Sequence, residues 1–279
     1  MLVNGVPKES VSLLDRGLQY GDGVFETVAA LYGVVPHWER HLARLTAGCA
    51  QLGIAPPDAH TLTEEVMQLT HTRERCVVKI LITRGVGGRG YRPPQPCNPT
   101  RIVYTAPWPE HPLHYYTQGV RIRVCSTPVR RSPSLAGIKH LNRLDQVLAR
   151  NEWHDLDIVE GLMMDENGWV IEATAANVFG VRDGTLFTPS LSFAGVNGVV
   201  RNEVLTLATQ GGYGCRVQDL SLTDIYSMDE LFLTNSLIGL WPVRECVGAP
   251  RDYPVGAKTV GAYLRRALAD TGMTWLADV

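Results

Sequence analysis

Lys139 stands at the end of a small, apolar lead-in, Leu135, Ala136, Gly137 and Ile138, just before a helical pattern begins. An ammonium carried into apolar surroundings loses its solvation. Such a lysine either extends its head group back to water or is kept with a lowered pKa for chemistry such as Schiff-base formation with a carbonyl compound. A solvated lysine is the commoner case, because lysines are rarely fully buried. Glu172 lies in the strand-like WVIEATAANVF, among Val170, Ile171 and Ala173. A carboxylate there needs a partner if it is buried, and needs none if the strand is at the surface. Gly195 to Arg201 reads GVNGVVR and leads into the periodic NEVLTLATQ. A glycine turn at a helix start leaves backbone amides unpaired at the positive end of the dipole, which suits a phosphate, although an ordinary helix start looks the same.

Gly85 to Gly90 reads GVGGRG after a strand-like run, a formal match to the dinucleotide fingerprint GxGxxG. That fingerprint must open a helix, and YRPPQPCNP follows instead, whose prolines forbid one. The better functional reading is a glycine loop presenting Arg89 and Tyr91 to an anionic ligand, against a plain surface turn. His37 and His41 are four residues apart and could share a helix face as metal ligands do, but no third ligand stands at a recognisable spacing. They read as two partly exposed helical histidines, and no metal is expected. Neither a GxSxG elbow nor an HExxH motif is present, which disfavours common hydrolase classes.

These residues need elements to position them. Leu2 to Val6 and Val24 to Leu31 have strand character around the turn-rich YGDG at Tyr20 to Gly23. A helix runs from His37, with Trp38, Leu42, Leu45, Cys49 and Leu52 at helical spacing, to Gly53. Asp58 can cap a second helix carrying Leu62, Val66 and Leu69. Cys76 to Thr83 and Arg101 to Ala106 read as strands, and Pro107 to Gln118 keeps no period. Beyond it come a strand in VRIRVCS, a helix from Asn142 to Trp153, and short strands between Val159 and Phe187. A helix from Val199 to Gln210, a strand near Glu230 to Thr234 and a helix from Lys258 to Asp270 follow. The expected organisation is α+β, with mixed α/β character: an N-terminal domain over 1–106, a linker over 107–118 and a larger, barrel-like second domain over 119–279.

With 279 residues, 45% hydrophobic and 19% charged, the chain can bury a large core. A net charge of −2 points to neither nucleic acid nor an anionic membrane surface. The first residues lack a basic start followed by an apolar run, and no stretch approaches the roughly 18 apolar residues of a membrane helix, so a cytoplasmic protein is expected. Six cysteines without a CxxC pair read as reduced and mostly structural.

Together these pieces resemble the class IV, or fold type IV, family of pyridoxal-phosphate enzymes. The signature runs in order through Glu172, Asn177 with Val178 and Phe179, Thr188 after Leu186, then Val196, Gly198, Val199 and Arg201. Similarity extends to LVNG, YGDGVFET, HLARL and ITRGVGGRGY. The resemblance implies two domains, the larger one holding pyridoxal 5′-phosphate, and a homodimer. It makes Lys139 the lysine that bonds the cofactor and Glu172 the partner of its pyridine nitrogen. Arg44 would hold the phosphate, with the amides of Val199 and Val200 after Gly198, together with Asn177 and the Asn235 region. Arg89 and Tyr91 would grip a substrate carboxylate. Thr27 and Asn235 would flank the reacting atoms, Asn235 also meeting substrate. Phe25 departs from the tyrosine of the D-amino-acid aminotransferases.

Within the family, LAGIKHLNRLDQVLAR, RGVGGRGY and Thr27 are most similar to the aminodeoxychorismate lyase branch. That implies conversion of 4-amino-4-deoxychorismate to p-aminobenzoate and pyruvate, in folate biosynthesis, with Lys139 abstracting a proton before elimination. The alternatives are an aminotransferase of D- or branched-chain amino acids on the same fold, and a non-catalytic small-molecule binding protein.

Overall fold

The computed structural model describes residues 1–277. They form two compact units, one of residues 1–109 with 138–143, the other of residues 110–137 with 144–277.

In the first unit a five-stranded sheet carries two helices on one face. Its strands are β1 (Leu2–Val3), β2 (Val6–Pro7), β3 (Gly23–Leu31), β4 (Arg75–Thr83) and β5 (Thr100–Ala106), in the order β2-β1-β5-β4-β3, every neighbouring pair antiparallel. The expected single strand over Leu2 to Val6 is instead a hairpin. Asn4 and Gly5 both take positive φ, 51° and 82°, the backbone a two-residue hairpin turn requires. α1 (Arg16–Tyr20), leading into the turn-rich Tyr20 to Gly23, begins at Asp15, whose carboxylate accepts the Gly17 amide, and ends at Gly21.

β3 and β4 alternate as strands with one fully buried face must. Val24, Val28 and Ala30 pack with Val78, Ile80 and Ile82 under α2 (Trp38–Leu52) and α3 (Ala59–Thr70). The periodic residues of α2 face that core, and Gly53 closes the helix in the left-handed conformation. Asp58 caps α3 by accepting the Thr61 amide at 2.8 Å.

The second unit comprises α4 (His114–Thr117), β6 (Val120–Val124), α5 (Leu144–Arg150), β7 (Ile158–Met164), β8 (Trp169–Ala173), β9 (Asn177–Arg182), β10 (Thr185–Pro189), α6 (Val199–Gln210), β11 (Gly214–Gln218), β12 (Leu220–Ser221), α7 (Leu222–Ser227), β13 (Glu230–Asn235), β14 (Gly239–Cys246) and α8 (Val260–Asp270). Nine strands form one mixed sheet, β11-β10-β9-β13-β14-β6-β7-β8-β12, with parallel pairs β10/β11, β14/β6 and β6/β7. β8 also lies against β9 and β10, so the sheet curls into a barrel-like form. α6 and α8 pack on each other, with Val204 and Leu264 in the core beneath them.

Two domain expectations are corrected. The stretch 107–118 is not a featureless linker: α4 buries Tyr116, and Tyr115, Tyr116 and His111 set their rings against Trp241. Aromatic packing decides that segment, and it leaves no period to read. The span 119–279 is also not one domain, because 138–143 belongs to the first unit. There the Phe25 amide donates to the Lys139 carbonyl, and the Leu141 amide to the Gly23 carbonyl, so the segment extends the β3 edge. The helix expected from Asn142 to Trp153 shortens to α5 for the same reason: Asn142 donates its side-chain amide to the Gly21 carbonyl instead.

Candidate active site

Lys139 sits opposite Phe25. An antiparallel bridge joins Val24 to His140, so Phe25 and Lys139 share one face of the sheet, and the ammonium lies 4.5 Å from the Phe25 ring centroid. Thr27 is two residues along the same face and pairs with Lys79 of β4, whose ammonium donates to the Thr27 hydroxyl at 2.9 Å. Burial pushes the Lys79 ammonium below its ordinary value, and it too stands over Phe25, at 4.9 Å. Lys139, Thr27, Phe25 and Lys79 are thus gathered on one sheet face. Lys79 was not singled out in the sequence, where a lysine in CVVKILIT reads as an interruption of an apolar strand.

Arg44 projects from α2 on the helix-covered face. Its Nε and Nη2 donate to the two oxygens of Glu26, at 2.7 and 2.6 Å. His41 donates from Nδ1 to the same carboxylate at 2.7 Å. Glu26 is 1% exposed. Burial alone would raise its carboxyl, but the Arg44 charge and the bonds from His41 and Arg44 hold it to about 2. His41 is therefore buried and paired, against the expectation of a partly exposed residue. The signal was available: Glu26 occupies the core-facing position between Val24 and Val28, and His41 and Arg44 are three residues apart on one helix face.

Arg89 and Tyr91 are exposed on the glycine loop, Tyr91 at 85%. The loop is held from behind by Arg16, which donates to the carbonyls of Gly90 and Tyr91 and, through Nε, to Asp22. No helix follows Gly90, in keeping with the prolines. At Gly85, φ is 83° and a Cβ would stand 1.9 Å from the Asn98 carbonyl oxygen, so only glycine fits.

In the second unit, Glu172, Asn177 and Gly198 converge on Val196. Glu172 accepts the Val196 amide at 2.8 Å, and Asn177 donates to the Val196 carbonyl at 2.9 Å. Gly137 bridges the same residue, its amide donating to the Gly195 carbonyl and its carbonyl accepting from Asn197. Along the chain, Gly137 is two residues before Lys139. Gly198 starts α6 and makes no side-chain cap, and a Cβ there would stand 2.0 Å from Asn177 Oδ1. Val199 and Val200 are buried in the first turn, with Arg201 behind them donating to Asn197 Oδ1 and the Pro189 carbonyl. Burial pushes the Arg201 guanidinium down to about 10, and the Glu172 charge works against that shift. Asn235 closes β13 and donates to the Ala175 carbonyl, three residues after Glu172. Among the described residues, no group of three His, Cys, Asp or Glu side chains could hold a metal ion.

Residues 23–246 match the model of amino-transferases of class IV. The chain belongs to that family. Among curated relatives, the family includes the aminodeoxychorismate lyase of Vibrio harveyi, 40% identical over 260 residues, covering 92% of this chain and 96% of the relative. Among solved structures, the 4-amino-4-deoxychorismate lyase of Pseudomonas aeruginosa superposes with a TM-score of 0.91 at 43% identity, over 96% of this chain and 98% of the other. The branched-chain amino acid aminotransferase of Escherichia coli follows the same fold, with a TM-score of 0.85 at 25% identity over 96% and 92% of the chains. A small sheet and a separate barrel-like mixed sheet are the fold type IV architecture that the family resemblance implied.

Proposed function

We propose that this protein is a lyase that converts 4-amino-4-deoxychorismate to p-aminobenzoate and pyruvate with pyridoxal 5′-phosphate. The observation that carries the reading is the 43% identity, over nearly the whole of both chains, to the lyase of Pseudomonas aeruginosa.

The residues present fit the cofactor. α6 opens with first-turn amides that have no intrahelical acceptor and with a glycine that offers no cap, which suits a phosphate. The space at Gly198 would be filled by any Cβ. Glu172 is held in place by the Val196 amide, as a carboxylate paired with a pyridinium nitrogen must be. Arg44 supplies a guanidinium whose plane Glu26 fixes, suited to the phosphate.

Bound pyridoxal phosphate supplies an electron sink for the carbon that carries the substrate nitrogen. Lys139 would be the residue that holds the cofactor, and its freed Nζ would take the proton from that carbon. The proton held on Lys139 Nζ would then be passed on to the departing enolpyruvyl group, directly or through Thr27 Oγ1. An ammonium only donates, so the bond from Lys79 turns the Thr27 hydroxyl hydrogen toward another acceptor, as a proton donor needs. Asn235 orients the substrate, and Arg89 and Tyr91 bind its carboxylate. One proton leaves carbon and one is returned, so substrate and products balance without an oxidant or amino acceptor. The enzyme acts as a homodimer: Leu144, Val147 and Leu148 expose one apolar face of α5, which a second copy would cover.

The test is release of p-aminobenzoate and pyruvate from 4-amino-4-deoxychorismate without any 2-oxo acid. Equimolar products are expected from the native protein, and none from Lys139→Ala. Formation of D-glutamate from D-alanine and 2-oxoglutarate, with no p-aminobenzoate release, would replace the lyase by an aminotransferase.

A further inference from the structure

Glu160 of β7 is a buried carboxylate with no part in the roles above. It is 6% exposed, and among the described residues no cation forms an ion pair with it. Burial raises its carboxyl above the ordinary range, against the hydrogen bonds it accepts. Those bonds come from Thr174 Oγ1 at 2.5 Å and from the amides of Ala175 at 3.1 Å and Gly161 at 3.2 Å. Thr174 and Ala175 belong to the turn between β8 and β9, with Glu172 just before it and Asn177 just after. The turn is closed by the Ala173 amide on the Ala176 carbonyl and tied to β7 by the Thr174 amide on the Gly161 carbonyl.

The same turn holds Asn235. The Ala175 carbonyl accepts Asn235 Nδ2 at 3.1 Å, while Asn235 Oδ1 accepts the amides of Leu237 at 2.8 Å and Ile238 at 2.9 Å. Ala175 thus bonds Glu160 through its amide and Asn235 through its carbonyl. A buried carboxylate without a counter-cation is costly, and a neutral side chain would close an ordinary turn more cheaply. What the carboxylate offers is acceptor capacity for three donors at once, which a glutamine cannot match.

We propose that Glu160 is a positioning residue: its carboxylate sets the Thr174–Ala176 turn and, through the Ala175 carbonyl, the orientation of the Asn235 side-chain amide. This deepens the reading that Asn235 meets the substrate and rests on it.

The test uses the full, cofactor-loaded protein carrying Glu160→Gln, Asn235→Ala or both. With the fold and the cofactor absorbance retained, E160Q is expected to lower kcat/KM for p-aminobenzoate release roughly ten- to a hundredfold, the value of one hydrogen bond to a charged group. Because Asn235 is what the change misplaces, the double variant should be no slower than Asn235→Ala alone. Amide exchange at Leu237 and Ile238, which bond Asn235 and not Glu160, should accelerate in E160Q. Losses that multiply in the double variant, or unchanged protection at Leu237 and Ile238, overturn the proposal. If E160Q does not fold, Thr174→Val removes one donor and keeps the carboxylate, and the same two measurements decide. Should the native protein release no p-aminobenzoate, the lyase reading fails while the exchange data still judge Glu160.

Discussion

Replacing Glu26 by glutamine keeps the shape of the side chain and removes its charge, leaving Arg44 with a side chain 12% exposed and no carboxylate at Glu26's position. Breaking a buried ion pair by removing one partner costs about 3–5 kcal/mol. The carboxyl itself leads to the same magnitude: it lies at about 2 in the folded protein against an ordinary 4.5. At about 1.4 kcal/mol per pKa unit, this is on the order of 3 kcal/mol. A depressed carboxyl stabilises the fold above its unfolded pKa, and that contribution is lost as pH falls through the folded value. The deficit of Glu26→Gln should therefore be full at pH 7 and 5, shrink below about 4.5 and nearly vanish near pH 2. Urea unfolding of both proteins across this range, with amide exchange in β3 and α2 reporting on the first unit, measures the difference. A deficit under about 1 kcal/mol at pH 7, or one that does not change between pH 5 and 2.5, refutes the reasoning.

Three other outcomes follow from the geometry. Gly198→Ala places a methyl 2.0 Å from Asn177 Oδ1, so Asn177 must release the Val196 carbonyl; at least a tenfold loss of pyridoxal phosphate affinity is expected by equilibrium titration, with an unchanged circular dichroism spectrum. Glu230 accepts the Val260 and Gly261 amides at the start of α8, so Glu230→Ala should cost about 2 kcal/mol in urea unfolding, and a change below about 0.5 would contradict the role. Burial pushes the thiols of Cys49, Cys125 and Cys246 up to about 12, so at pH 8 a disulfide reagent should modify half-buried Cys97 and Cys215 well before these three; rapid modification of all six would count against it.

Much of the molecule was readable in one dimension because its cause is local. Gly53 ends α2 and Asp58 begins α3, each through a backbone preference or a cap within a few residues. The alternation from Val24 to Ala30 marks a strand with one buried face, and the prolines after Gly90 rule out a dinucleotide helix. The Glu172 to Arg201 signature could be matched because its residues lie on consecutive strands, a turn and a helix start, so sequence spacing carries their geometry. α4, β11, β12, β14 and α7 are not legible in the sequence: α4, α7 and β12 are too short for a period, and β11 takes its pairing from β10, on the far side of α6 in the chain.

By itself, then, the sequence determined the family, the main helices and strands, and which residue types are present for chemistry. Tertiary structure alone decided that Lys139 pairs with β3 rather than following the strands around it in the chain. Only there does Arg44 acquire Glu26 and His41, Thr27 acquire Lys79, and Glu160 come to hold the turn that anchors Asn235. The physical reason is one of range. Propensity and capping act over a few residues, whereas a buried charge is made tolerable by whichever donors the folded chain brings to it, and those lie 15 to 52 residues away for Glu26 and Thr27.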